Sequence, residues 1–129
     1  MNNLLIILIS LMMFGCASSK MTQEHLSMAT LWAQTSGEAR ALSYQAFNIA
    51  REKLDMDLRK KSKSKRAIVV DVDETIVDNS PFQAQGIIDN TGYPTGWDEW
   101  IQLADAKALP GAVEFLRYAA KRGVEVFYI

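Results

Sequence analysis

Hydrophobic positions along this chain follow two different periods, and the change between them divides it. From about Gln23 to Arg59, Met28, Trp32, Ala39, Leu42, Ala46, Ile49 and Leu54 recur mostly at spacings of three, four and seven with a slight drift. That spacing predicts helix with one apolar face. Thr35-Ser36-Gly37-Glu38 fits a capping box with Thr35 as the cap, so a short helix, a break and a longer helix are expected. Ala67-Ile68-Val69-Val70 is then a continuous apolar run of the kind found in parallel strands covered on both faces. Residues 78–109 are rich in turn formers, with one short helix expected from near Thr95 that places Trp97, Trp100, Ile101 and Ala104 on one face. Pro110-Gly111 opens the next helix, proline being tolerated in a first turn. Ala112, Val113, Leu116 and Ala120 predict its buried face, and Lys121, Arg122 and Gly123 suit its end. Val124 to Ile129 reads as a second strand. Strand, helix and second apolar strand make a βαβ unit, hence an α/β fold with a parallel sheet.

The N-terminus follows neither period. Leu4 to Phe14 is apolar apart from Ser10, which is too short for a bilayer-spanning helix of about 20 residues. Followed by Gly15-Cys16-Ala17-Ser18-Ser19, it reads as a signal peptide over 1–15 and a polar tether over 16–22. Gly15-Cys16 resembles the end of a bacterial lipobox, in which Cys16 would become the lipidated first residue. Met13 and Phe14 depart from that pattern and no Lys or Arg precedes the apolar run, so a cleaved signal without lipid, or a retained anchor, stays open. Ala17 resembles the residue that directs lipoproteins to the outer membrane, so the expected location is that membrane, facing the periplasm or the cell surface.

Composition adds little. The chain has 129 residues, a formal net charge of −1 and an ordinary apolar content of 49%, so no global bias points to an acidic or basic partner. Cys16 is the single cysteine, which excludes an internal disulfide. The basic run Arg59 to Arg66 could meet anionic lipid, but no aromatic residues interleave to stack on bases. It reads as a linker closing a helical segment over 23–66, and no nucleic acid polymer is expected as a partner.

Candidate chemistry sits at the carboxyl end of the first strand, where open α/β sheets bind ligands. Asp71 and Asp73 stand there two residues apart, which on an extended chain puts both carboxylates on one side. Such a pair repels itself unless a cation lies between or one member holds a proton. A hard cation such as Mg²⁺ fits, with one aspartate free to attack phosphorus and the other to protonate a leaving oxygen.

Ile68 to Thr75 resembles the first motif of haloacid-dehalogenase-superfamily phosphatases. The continuation Ile76-Val77-Asp78-Asn79-Ser80-Pro81-Phe82 is similar to that of the bacterial class C acid phosphatases, and within them to the lipoprotein e branch, which contains 5′-nucleotidases. Trp97-x-x-Trp100, Ala108 to Phe115 and Gln34 to Gln45 extend the likeness over about residues 31–129. Val72, Ile76, Val77 and Phe82 depart from the family's usual residues, but none is a reacting group. The resemblance implies a Rossmann-like parallel sheet with N-terminal helices, residues 67–129 being its first part and about 78–109 a small cap insertion. It further implies Asp71 as nucleophile, Asp73 as general acid/base, both at a magnesium site, and a phosphomonoester or nucleotide as substrate. Trp97 and Tyr44 become candidates for stacking on a nucleobase, with a place in the core as the alternative. A second copy of the chain remains an open partner.

The resemblance also calls for a Ser or Thr after the second strand, a lysine and a further acidic segment, and residues 78–129 hold no convincing substitute. The chain is therefore expected to be an N-terminal fragment of an enzyme, inactive alone. Two other readings compete: a lipid-anchored binding protein with a phosphatase-like half, and a metal-dependent glycosyltransferase carrying a DxD. Glu74-Thr75 and the Pro110-Gly111 helix argue against the second.

Overall fold

The computed structural model describes residues 22–129. A 3-10 turn (Gln23–Leu26) leads into α1 (Ser27–Thr35) and α2 (Gly37–Leu58). There follow β1 (Ala67–Val70), β2 (Val77–Asp78), α3 (Ser80–Asp89), α4 (Trp97–Leu103), β3 (Lys107–Ala108), α5 (Ala112–Lys121) and β4 (Glu125–Tyr128). β1 and β4 pair in parallel, Ala67 opposite Glu125 and Val70 opposite Tyr128, while β2 and β3 form a separate antiparallel pair. This is an α/β arrangement with a single parallel pair among the described residues.

The core lies between α2, α5 and one face of that pair. Leu54, Phe115, Ala119 and Val124 are buried together, with Phe47, Ile68 and Val126 packed against them. Phe47 and Phe115 join the two helices at 5.8 Å between ring centres. Gly111 lets the α5 entry approach α2: its φ is +89°, and a Cβ there would lie 3.2 Å from Tyr44 and 3.3 Å from Phe47. The Ser43 hydroxyl donates to the Pro110 carbonyl (2.7 Å) and fastens the same contact.

Several local expectations are corrected. The break between α1 and α2 is real, but its cap is Ser36, which accepts from the Ala39 N–H at 2.9 Å. Thr35 instead donates back to the Leu31 carbonyl within α1. On α2 only Leu54 of the apolar stripe is buried, and Leu42 and Ile49 stand about half exposed. β1 is not covered on both faces: Val69 and its register partner Phe127 are 62% and 50% exposed, because the described helices lie on the Ile68–Val126 face. A parallel strand is fully buried only when both faces carry helices. The buried face of α5 is Ala112, Phe115 and Ala119, with Ala120 exposed, and Pro110 precedes the helix rather than opening its first turn.

The region 78–109 holds two helices where one was expected. α3 was hidden by Pro81 and Gly86, two nominal breakers. Pro81 sits in the first turn, where its missing N–H costs nothing. At Gly86 a Cβ would meet the Thr91 carbonyl oxygen at 2.8 Å, so the glycine admits the chain returning past the helix end. The basic linker is also more ordered than its charge suggests. Arg66 reaches back to the Asp57 carboxylate (2.7 Å) and to the carbonyls of Asp57 and Lys60, tying the end of α2 to the start of β1. Among the described residues no helix is long and apolar enough to cross a membrane. Cys16 and the signal segment lie outside the described residues.

Candidate active site

At Val70 the chain leaves the sheet, the Ile129 N–H donating to the Val70 carbonyl at 3.0 Å. The next residues wind into a tight turn around one acceptor. The Val72 carbonyl receives the N–H groups of Thr75 (3.4 Å), Ile76 (2.9 Å) and Val77 (3.1 Å). Glu74 donates its N–H to Val77 and adopts a left-handed φ of +55°, a conformation costly for a non-glycine residue unless its surroundings hold it. Buried Ile76 anchors the turn.

Because the strand ends before Asp71, strand alternation does not orient the two carboxylates. Hydrogen bonds do. The Thr75 hydroxyl donates to Asp71 Oδ2 at 2.7 Å, and the Asn79 amide donates to Asp73 Oδ1 at 2.9 Å. Asn79 is 2% exposed, and its own carbonyl oxygen accepts from the Trp100 indole N–H at 2.9 Å. Asp71 and Asp73 themselves face solvent. Burial pushes the neighbouring Glu74 carboxyl above its ordinary range; the Asn79 amide opposes this, and the charges of Asp73 and Asp78 add to it.

Among the described residues no group of three or more His, Cys, Asp or Glu side chains is gathered to hold a metal ion. The two exposed aspartates are nonetheless a hard-oxygen donor set. Mg²⁺ commonly takes one or two carboxylates and completes its shell with water and phosphate oxygens, so Asp71 and Asp73 fit it.

A mostly apolar cleft of about 810 Å³ opens beside the turn, between α1, α2 and the start of α3. Glu74, Thr75 and Asp78 line its polar end, and Trp32, Ala46 and Phe47 are part of its apolar walls. The Ser80 hydroxyl is buried in its wall without a hydrogen-bond partner among the described residues. Tyr44 and Trp97 are not among the cleft's lining residues. Tyr44 is 43% exposed on α2 beside Gly111. Trp97 belongs to an aromatic group formed by α3, α4 and the chain between them, edge-on to Phe82 (5.2 Å) and Tyr93 (5.8 Å), with Trp100 also against Phe82.

An α/β pair with an acidic turn at its carboxyl end has close counterparts. Residues 11–129 match the family model described as HAD superfamily, subfamily IIIB (acid phosphatase). The chain belongs to that family. Two structures of a class C acid phosphatase from Bacillus anthracis, one with tungstate bound, are each similar to it, with 48% sequence identity and a TM-score of 0.80. Each alignment covers 82% of this chain and 45% of the Bacillus chain, so this chain spans less than half the length of the solved relatives it matches.

Asp71 and Asp73 are candidates from the sequence, whereas the residues whose side chains bond them in the structure, Thr75 and Asn79, are not. Thr75 and Asn79 lie within the Ile68–Phe82 segment, where the resemblance gives neither a role. The one signal for Asn79 was its place directly before Ser80-Pro81, a helix start, and that signal suggests a cap rather than a partner for Asp73.

Proposed function

We propose that this chain carries the nucleophile half of a phosphomonoesterase, an acid phosphatase acting on substrates that include nucleoside 5′-monophosphates. The observation that supports this most is the separate support of the two carboxylates: Thr75 on Asp71 and Asn79 on Asp73. Unlike partners suit unlike roles. Asp71 leads the turn and offers an oxygen to phosphorus; the phosphorus–ester oxygen bond breaks as an aspartyl phosphate forms. Asp73 gives its proton to the departing alcohol, then takes one from the water that attacks the aspartyl phosphate, freeing inorganic phosphate and Asp71. Mg²⁺ held by the Asp71 carboxylate and by Asp73 through its backbone carbonyl would supply positive charge to balance the phosphoryl oxygens. Tungstate, bound by one of the similar structures, is a tetrahedral oxyanion like phosphate, which agrees with a phosphoryl site.

The test is hydrolysis by a full-length protein containing this segment. We expect magnesium-dependent release of phosphate, fastest below neutral pH and abolished by EDTA. Asp71→Asn is expected to lower turnover by several orders of magnitude and to leave no trappable phosphoenzyme. Full activity in EDTA, or a phosphoenzyme in Asp71→Asn, would overturn the assignment.

A further inference from the structure

Asn79 occupies a position whose ordinary task it does not perform. It is the N-cap residue of α3, and an asparagine there usually accepts a backbone N–H of the first turn. Here it makes no such bond, and the Ser80 N–H is taken by Asp78 Oδ1 at 2.8 Å. The Asn79 side chain, 2% exposed, turns elsewhere: its NH₂ donates to Asp73 Oδ1 and also lies against the Glu74 carboxyl, and its oxygen accepts from the Trp100 indole, the first and last at 2.9 Å.

We propose that Asn79 is a positioning residue for Asp73, and that Trp100 sets the direction of its amide. The proposal rests on the reading of Asp73 as general acid/base. An amide can present either end to a neighbour, but an indole N–H only donates. With Trp100 donating, the Asn79 oxygen must face the indole, and the NH₂ is left for the carboxylate. That bond occupies Asp73 Oδ1 and holds the carboxyl plane, so Oδ2 is the oxygen left to exchange a proton with the leaving alcohol. A hydrogen-bonded chain thus runs from the aromatic insertion, 21 residues downstream of Asn79, to the acid. Networks of this kind fix geometry when every member is satisfied.

A group that only supports the fold would affect all substrates alike, whereas one that aims the acid matters most where the leaving oxygen needs a proton. The readout is kcat/KM, which reports the half-reaction in which the alcohol departs, measured on a nucleoside 5′-monophosphate and on p-nitrophenyl phosphate. In the full-length protein, Asn79→Ala is expected to lower the ratio of the two values by about tenfold or more, within the range of general acid catalysis. Trp100→Phe keeps the ring and removes the donor; it should move the ratio the same way by less, and it decides the matter if Asn79→Ala does not fold. An unchanged ratio, with equal losses on both substrates, would overturn the positioning role. If Asp73→Asn itself lowered both substrates equally, the underlying reading would fail instead, so the two failures are told apart.

Discussion

A carboxylate's role is set by what holds it, and at Asp71 and Asp73 the holders differ. Asp73→Asn keeps the backbone carbonyl and most of the shape but removes the proposed proton donor. Its loss should fall within ~10²–10⁴-fold on a nucleotide, whose sugar alkoxide leaves poorly, and be milder on p-nitrophenyl phosphate. Steady-state assays of the full-length variant on both substrates check this, and equal losses would remove the acid role. The candidate pair Asp71 and Asp73 could be singled out in the sequence because the pattern is local: two acids, two positions apart, after an apolar strand. Asn79 could not, because its task exists only once Trp100 is folded beside it.

Among the elements, the contact between α2 and the entry to α5 depends on a residue with no side chain. Gly111→Ala adds a Cβ at φ +89° against Tyr44 and Phe47, so it should destabilise by more than about 1 kcal/mol, read as a lower thermal midpoint. The other end of α2 is tied by Arg66, whose guanidinium holds the Asp57 carboxyl below its ordinary range. A depressed folded pKa stabilises above the unfolded value and loses that contribution as pH falls through the folded one. The stability gap between the wild type and Asp57→Asn should therefore be present near neutrality and shrink as pH drops below about 4. Thermal unfolding across pH measures it, and a constant gap would contradict it. The two strands and the final helix were legible because their apolar runs and terminal residues agree. α3 was not: Pro81 and Gly86 break helices in the interior, yet one lies in the first turn and the other under a returning backbone. Ser36 took the cap from Thr35 by one position, a margin that pattern alone does not resolve.

For the whole molecule, the parallel pair leaves Val69 and Phe127 uncovered among the described residues, although the sequence of β1 is that of a strand covered on both sides. Nothing in the run Ala67 to Val70 itself reports which helices are present to cover it. The anchor proposal belongs to this scale as well. If Cys16 is lipidated, radiolabelled palmitate should be incorporated in a bacterial host and lost in Cys16→Ser; undiminished labelling in that variant would refute it. The short β2–β3 ladder has a further consequence. Val77 faces Ala108 and Asp78 faces Lys107, and the Leu109 N–H bonds the Ile76 carbonyl at 2.8 Å, so the segment between leaves and re-enters through one clamped gate. Lengthening a loop with pinned ends costs only about 0.6 kcal/mol per doubling. Residues 91–106 can therefore change in length at little cost, while Ser80–Asp89 stays fixed by its packing on α1 and its place in the cleft wall. The Trp100–Asn79 bond is a side-chain link that such a change would have to preserve.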